Sequence, residues 1–187
     1  MRLTPRHAVL ALALAALPQI ACTPVPTVPT AGTTVDSTFW KDYHPTLKKG
    51  MKWTYAETYV EGGTTTTGET TNEVTEVQGD VATFKITGHN AMTPDFALDL
   101  TSTQSVTFSG TFNGLPAVYK SEGAVDVTVP FKTFQGAAKV NLVTPNAAQK
   151  MYFYFAPGVG MIKLEITNTA SGSTTSYTQE LKNFVSP

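Results

Sequence analysis

The chain has 187 residues, with 13 Lys and Arg against 14 Asp and Glu, a formal net charge of −1, and a single cysteine. Its only arginines are Arg2 and Arg6, so the chain from Cys22 onward has none and carries a net charge near −3. Nucleic-acid binding, which rests on clustered Lys and Arg, is disfavoured. With no second cysteine, no internal disulfide can form, and a packed core must hold the fold.

Arg2 and Arg6 precede an apolar run, Ala8 to Leu17, which is too short to cross a bilayer; that takes roughly 20 apolar residues. Residues 1–21 therefore read as a signal peptide. Pro18 breaks the apolar helix, and Ala21 puts a small side chain directly before Cys22. The stretch Leu17-Pro-Gln-Ile-Ala-Cys22 resembles the lipobox of bacterial lipoproteins, with Gln19 where a Leu-like residue is usual. That resemblance implies cleavage before Cys22, lipid attachment at its sulfur and the membrane as a partner. With Thr23 rather than an acidic residue after the cysteine, it implies the outer membrane or cell surface as destination.

Residues 22–39 follow as a Pro/Thr-rich stretch. Pro24, Pro26 and Pro29 fix φ and remove backbone donors, so a disordered tether is expected, with neither helix nor sheet. At about 3.1 Å per residue it would reach up to roughly 50 Å.

Residues 40–187 read as a single antiparallel β domain. After an irregular approach at 40–50, Met51, Trp53, Tyr55 and Tyr59 recur with period 2 within Met51–Val60, which predicts a strand with Trp53 and Tyr55 facing the core. Gly62-Gly63 and the Thr run after it predict a loop tip. Glu69–Val77 and Val81–Thr87 are joined at Gly79-Asp80 and predict a hairpin. Further strands are expected at Phe96–Phe108, Ala117–Ser121, Ala124–Val129, Phe131–Val143, Met151–Phe155, Met161–Asn168 and Ser176–Phe184, separated by Gly, Pro and Asn turn signals. The spacing and the lack of a helical period predict an all-β fold. An antiparallel meander curled into a half-barrel or barrel is expected, a local pattern that a sandwich shares.

Two strings stand out, Tyr43-His-Pro-Thr-Leu-Lys-Lys-Gly-Met-Lys-Trp-Thr-Tyr55 and Phe153-Tyr-Phe-Ala-Pro-Gly-Val-Gly-Met-Ile-Lys163. Together they resemble a loosely defined group of secreted bacterial β domains. These carry an early Gly-x-x-Trp-x-Tyr pattern and a late Ala-x-Gly-Val-Gly pattern, and the resemblance implies a curved antiparallel sheet and an envelope location, without an activity. The glycine pair of the second string does not read as a phosphate loop, because a strand pattern follows it where a phosphate site needs a helix N-terminus. Pro157-Gly158 predicts a turn, and Gly160 a close backbone approach.

No catalytic residues, metal ligands or cofactor are assigned. His44 and His89 lack partners at ligand spacing, no Gly-x-Ser-x-Gly elbow occurs, and Glu57/Glu61 and Glu73/Glu76 read as a solvated face. Tyr152, Phe153, Tyr154 and Phe155 are four successive aromatics, which in a strand must point to both faces. One face then needs a cover other than the main core: a second layer, a partner or an apolar ligand. With Trp53 and Tyr55 these are the candidate ligand- or partner-facing residues. The expected function is a non-enzymatic, envelope-anchored domain that binds or positions another envelope component through a curved sheet face. The alternative is a carrier of a lipid or small apolar ligand, and a hydrolase is the least favoured reading.

Overall fold

The computed structural model describes residues 26–105, 111–112, 115–143, 148–170 and 172–187. The signal segment, Cys22, Val106, Phe108 and the turn at 144–146 lie outside the described residues. Eleven strands occur among those described: β1 (Lys52–Glu61), β2 (Thr64–Gln78), β3 (Val81–His89), β4 (Ala97–Ser105), β5 (Thr111–Phe112), β6 (Leu115–Pro116), β7 (Val118–Thr128), β8 (Thr133–Val143), β9 (Gln149–Ala156), β10 (Gly160–Ala170) and β11 (Ser173–Val185). One seven-residue helix, α1 (Ser37–Tyr43), precedes them.

Nine strands form one antiparallel sheet in the order β4-β3-β2-β1-β11-β10-β9-β8-β7, and β5 and β6 make a separate two-stranded pair. The topology is two meanders, β1–β4 and β7–β11, zipped together by the pairing of the first strand with the last. β4 and β7 are the edges, so the sheet stays open, a half-barrel rather than a closed barrel. Short hairpin connections such as Gly62-Gly63 allow only antiparallel neighbours.

Three local expectations are corrected. The Thr run at 64–67 belongs to β2, where each residue pairs with β1, instead of forming a loop tip. Ala117–Ser121 and Ala124–Val129 fall together on one continuous strand, β7, with bulges between Ser121 and Gly123 and between Val125 and Val127 that re-aim the strand without ending it. Structure also begins well before Phe39. Gly32 N–H donates to Ser121 O (2.7 Å), Val35 N–H to Tyr119 O (2.9 Å) and Ser121 N–H to Thr33 O (2.9 Å), which lays residues 32–35 along part of the β7 edge. Asp36 then caps α1, its Oδ1 accepting from Thr38 N (3.0 Å) and Phe39 N (3.2 Å). The helix stops at His44, whose backbone is extended, as the clash with the following Pro45 ring demands.

Two apolar clusters hold the sheet. One joins Met51, Trp53 and Tyr55 of β1 and its approach to Val127, Phe134, Tyr154, Ile162 and Leu181. The other joins Val35, Phe39 and Tyr43 to Tyr119, Val140, Leu142, Met151 and Phe155. Phe39 and Tyr43, four residues apart, are the buried positions of α1, and each such side chain removed from water contributes about 1.5–3 kcal/mol.

Candidate functional site

The two distinctive sequence strings meet in space. Trp53 Nε1 donates to Val159 O (2.7 Å) and Tyr55 O–H donates to Met161 O (3.0 Å). Both aromatic tips are thereby satisfied, and their rings are left to serve as walls. Gly160 has φ +88° and lies so close to Pro45 that a Cβ there would sit 3.2 Å from the proline Cδ. The close approach expected of this glycine is its contact with the early string.

Where the strings meet, a cleft of about 210 Å³ opens, lined by His44, Pro45, Leu47, Trp53, Tyr55, Asn72, Phe84, Gln104, Phe155, Val159, Gly160 and Met161. A larger cleft of about 600 Å³ adjoins it across His44, Pro45 and Leu47, and is otherwise lined by Ser37, Thr38, Trp40, Lys41 and Thr46 with Val77 and Gly79 of the β2–β3 hairpin. That volume falls within the roughly 300–1,000 Å³ of small-molecule sites. His44 Nδ1 lies 3.2 Å from Pro45 O, a contact in which the ring nitrogen donates, since a carbonyl only accepts. Desolvation lowers the His44 pKa from its ordinary value, and the Pro45 contact partly offsets the effect.

Of the candidate residues, Trp53, Tyr55 and Phe155 share the smaller cleft. Phe153 instead stacks with Phe155 (6.3 Å) and meets Tyr119 edge-on (6.1 Å) in the second cluster. The second face of the aromatic strand is covered by a second layer: Phe39 meets Phe155 edge-on at 6.0 Å and Trp40 at 4.8 Å. Tyr152 and Tyr154 belong to a different site. Lys139 Nζ stands over their rings at 4.1 and 5.5 Å, and Tyr154 O–H donates to Glu165 Oε2 (2.6 Å). Lys163 bridges Glu165 and Glu180, each at 3.0 Å. Burial and then the Glu165 hydrogen bond push the Tyr154 phenol well above its ordinary value. Burial alone would raise the Glu165 carboxyl, but Tyr154 and Lys163 outweigh it and hold Glu165 low. This network is internally paired, with a shallow pocket of about 280 Å³ beside it.

Sequence reasoning missed Glu57. It was expected on a solvated face, yet it is 2% exposed. Its Oε1 accepts from Thr70 Oγ1 (2.6 Å) and Gln179 Nε2 (3.2 Å), and its Oε2 from Ala91 N–H (3.0 Å). Burial, then the Glu57 charge and hydrogen bond, push the Tyr177 phenol far up. The signal was its phase: Glu57 continues the Trp53, Tyr55 alternation of β1, so its side chain had to be buried and needed partners. These partners tie the β3–β4 connection to β1. At the same place the strands press together: a Cβ on Gly88, whose φ is +122°, would stand 2.1 Å from Glu69 O.

His89 Nδ1 lies 3.2 Å from Pro94 O, far along the chain from His44. Among the described residues no group of three or more His, Cys, Asp or Glu is placed to hold a metal ion.

No protein-family model and no curated protein matches the chain. Among solved structures it is similar to a protein from Bacteroides fragilis NCTC 9343 assigned as exported with a YmcC-like fold. The identity is 13% and the TM-score 0.44, over 77% of this chain and 99% of that one. It is also similar to a protein assigned as a lipoprotein from Parabacteroides distasonis ATCC 8503, at 13% identity and a TM-score of 0.47, over 77% of this chain and 98% of that one.

Proposed function

We propose that this chain is an exported, membrane-tethered binding domain that holds another envelope component in the aromatic cleft between the α1 segment and the sheet. The observation that carries the reading is the convergence of the two distinctive strings on one cleft, with Trp53, Tyr55 and Phe155 in its wall. Trp53, Tyr55 and Phe155 are core residues, 6%, 4% and 6% exposed, and only the small part of each ring left uncovered borders the cleft. Export and tethering rest on the basic and apolar N-terminal run and on Cys22. The component is bound, not transformed, in this reading: the cleft offers rings, amides and hydroxyls, and among the described residues no nucleophile is paired with its titratable members Lys41, His44 and Tyr55, the last two of which contact backbone carbonyls.

The carrier reading shares this site and gains from the roughly 600 Å³ of the larger cleft, which suits a small ligand. Native mass spectrometry of the protein gently extracted from its host tests the proposal. The wild type should retain a non-covalent mass that Thr46→Glu, an exposed change in the cleft wall, releases. A bare wild-type chain, or equal retention by the variant, contradicts it.

A further inference from the structure

We infer that the occupant of the cleft is the acyl chain of an anionic single-chain lipid drawn from the membrane to which the protein is tethered. The inference rests on the proposed binding function and adds the ligand class. Its first support is the position of the tether. Tyr43 O–H donates to Pro26 O (3.3 Å) and Ser121 Oγ donates to Pro29 O (2.6 Å), so the N-terminal strap is fixed to the domain from Pro26 onward. Only four residue steps separate Pro26 from Cys22, a span of at most about 14 Å. The 50 Å reach expected from composition is therefore not available, and an acylated Cys22 would hold the domain against the bilayer. Tyr43, which receives the strap, directly precedes His44, the residue common to both clefts.

The second support is charge. In a chain with net charge near −3 after Cys22, Lys41, Lys48 and Lys49 flank the cleft-forming segment 44–47. Among the described residues none of the three is in an ion pair. The third is the division of the site. The smaller cleft is walled by Trp53, Tyr55, Phe84 and Phe155, while the larger carries Ser37, Thr38 and Lys41. The end of an acyl chain fits the first, with the rest of the chain and an anionic headgroup in the second beside its lysine.

The chain's two tryptophans, Trp40 and Trp53, line the larger and the smaller cleft respectively, so their emission reports directly on occupancy. The test is the full-length protein from its host, in phosphatidylethanolamine–phosphatidylglycerol vesicles, titrated with a fatty acid brominated near the chain end. Wild-type emission should fall by half or more, and Thr46→Glu and Leu47→Glu should each shift the half-point at least tenfold. Unquenched emission, with a component still retained in native mass spectrometry, overturns the acyl assignment and leaves the binding function standing. Unquenched emission with nothing retained overturns both. Equal quenching in wild type and both variants, or quenching by brominated two-chain phospholipid alone, places the chain outside the cleft and overturns the inference. An intact mass without acyl groups on Cys22 removes the tether argument and overturns it as well.

Discussion

The two meanders of the sheet are stabilised differently. In β7–β11 the aromatic strand is covered on one face by Phe39, Trp40 and Tyr43, and on the other Tyr154 packs with Val127, Phe134 and Ala137. In β2–β4 burial is thin: β4 is an edge, Leu100 is 53% exposed and Phe96 in the preceding loop is 71% exposed. That half relies on a buried carboxylate, Glu57, to fix the β3–β4 connection. The cleft lies where the well-packed half gives way to the thin one, with walls from both: Phe155 and Met161 from one, Asn72, Phe84 and Gln104 from the other. Burial on both faces makes the first half the firmer of the two, and the proposed site lies at the boundary between them, not on the open face of the second.

The contrast can be broken from either side. Phe155→Ala removes the ring on which Phe39 and Trp40 rest, and should cost about 3–5 kcal/mol in chemical denaturation. A cost below about 1 kcal/mol would mean that α1 is not held by this contact. Glu57→Ala takes the carboxylate partner from the Ala91 amide and the Tyr177 phenol and leaves Thr70 and Gln179 with only their long mutual contact, and should cost about 2–4 kcal/mol. Faster hydrogen exchange at Ala91 should accompany it, because the β3–β4 connection loses its hold on β1. Unchanged exchange at Ala91 would show that the polar clamp does not hold that half.

Gly160→Ala places a methyl group against Pro45 at positive φ, and should cost about 1–2 kcal/mol while weakening ligand retention. Smaller and confined to alkaline conditions is the effect of the buried phenols Tyr55, Tyr154 and Tyr177, all raised from their ordinary value, chiefly by burial. The folded state keeps these protons where the unfolded chain would release them. Stability is therefore intact below about pH 10 and falls as pH rises beyond it; a pH series of denaturation midpoints, followed with tyrosinate absorbance, checks this. Least affected should be Phe96→Ser on the exposed side, within about 0.5 kcal/mol of wild type.

The strands were legible in the sequence because apolar residues alternating with Thr, Lys and Glu have one reading, a pleated surface with one buried side. The short helix was not: seven residues give too little length for a 3.6-residue period to show, and the prolines before it pointed to a tether. Its signals were local, Asp36 as cap and Pro45 as stop. The candidate aromatics were legible as a set, but their division was not. Which of Tyr152–Phe155 would meet α1, and which would meet Lys139 and Glu165, depends on bulges such as the one between Met161 and Lys163 and on the strap folding back over the sheet, and neither leaves a periodic trace. Glu57 was hidden by its charge, although its phase with Trp53 and Tyr55 placed it on the inner side.

Site-specific photo-crosslinking in the native membrane tests the central claim most directly, with the crosslinker placed at Thr46 in the cleft wall or at Phe96 on the exposed side. The account predicts a bound adduct from position 46 and none from position 96. An adduct from position 96 alone would put the binding surface on the thinly packed side of the sheet and contradict the cleft as the site.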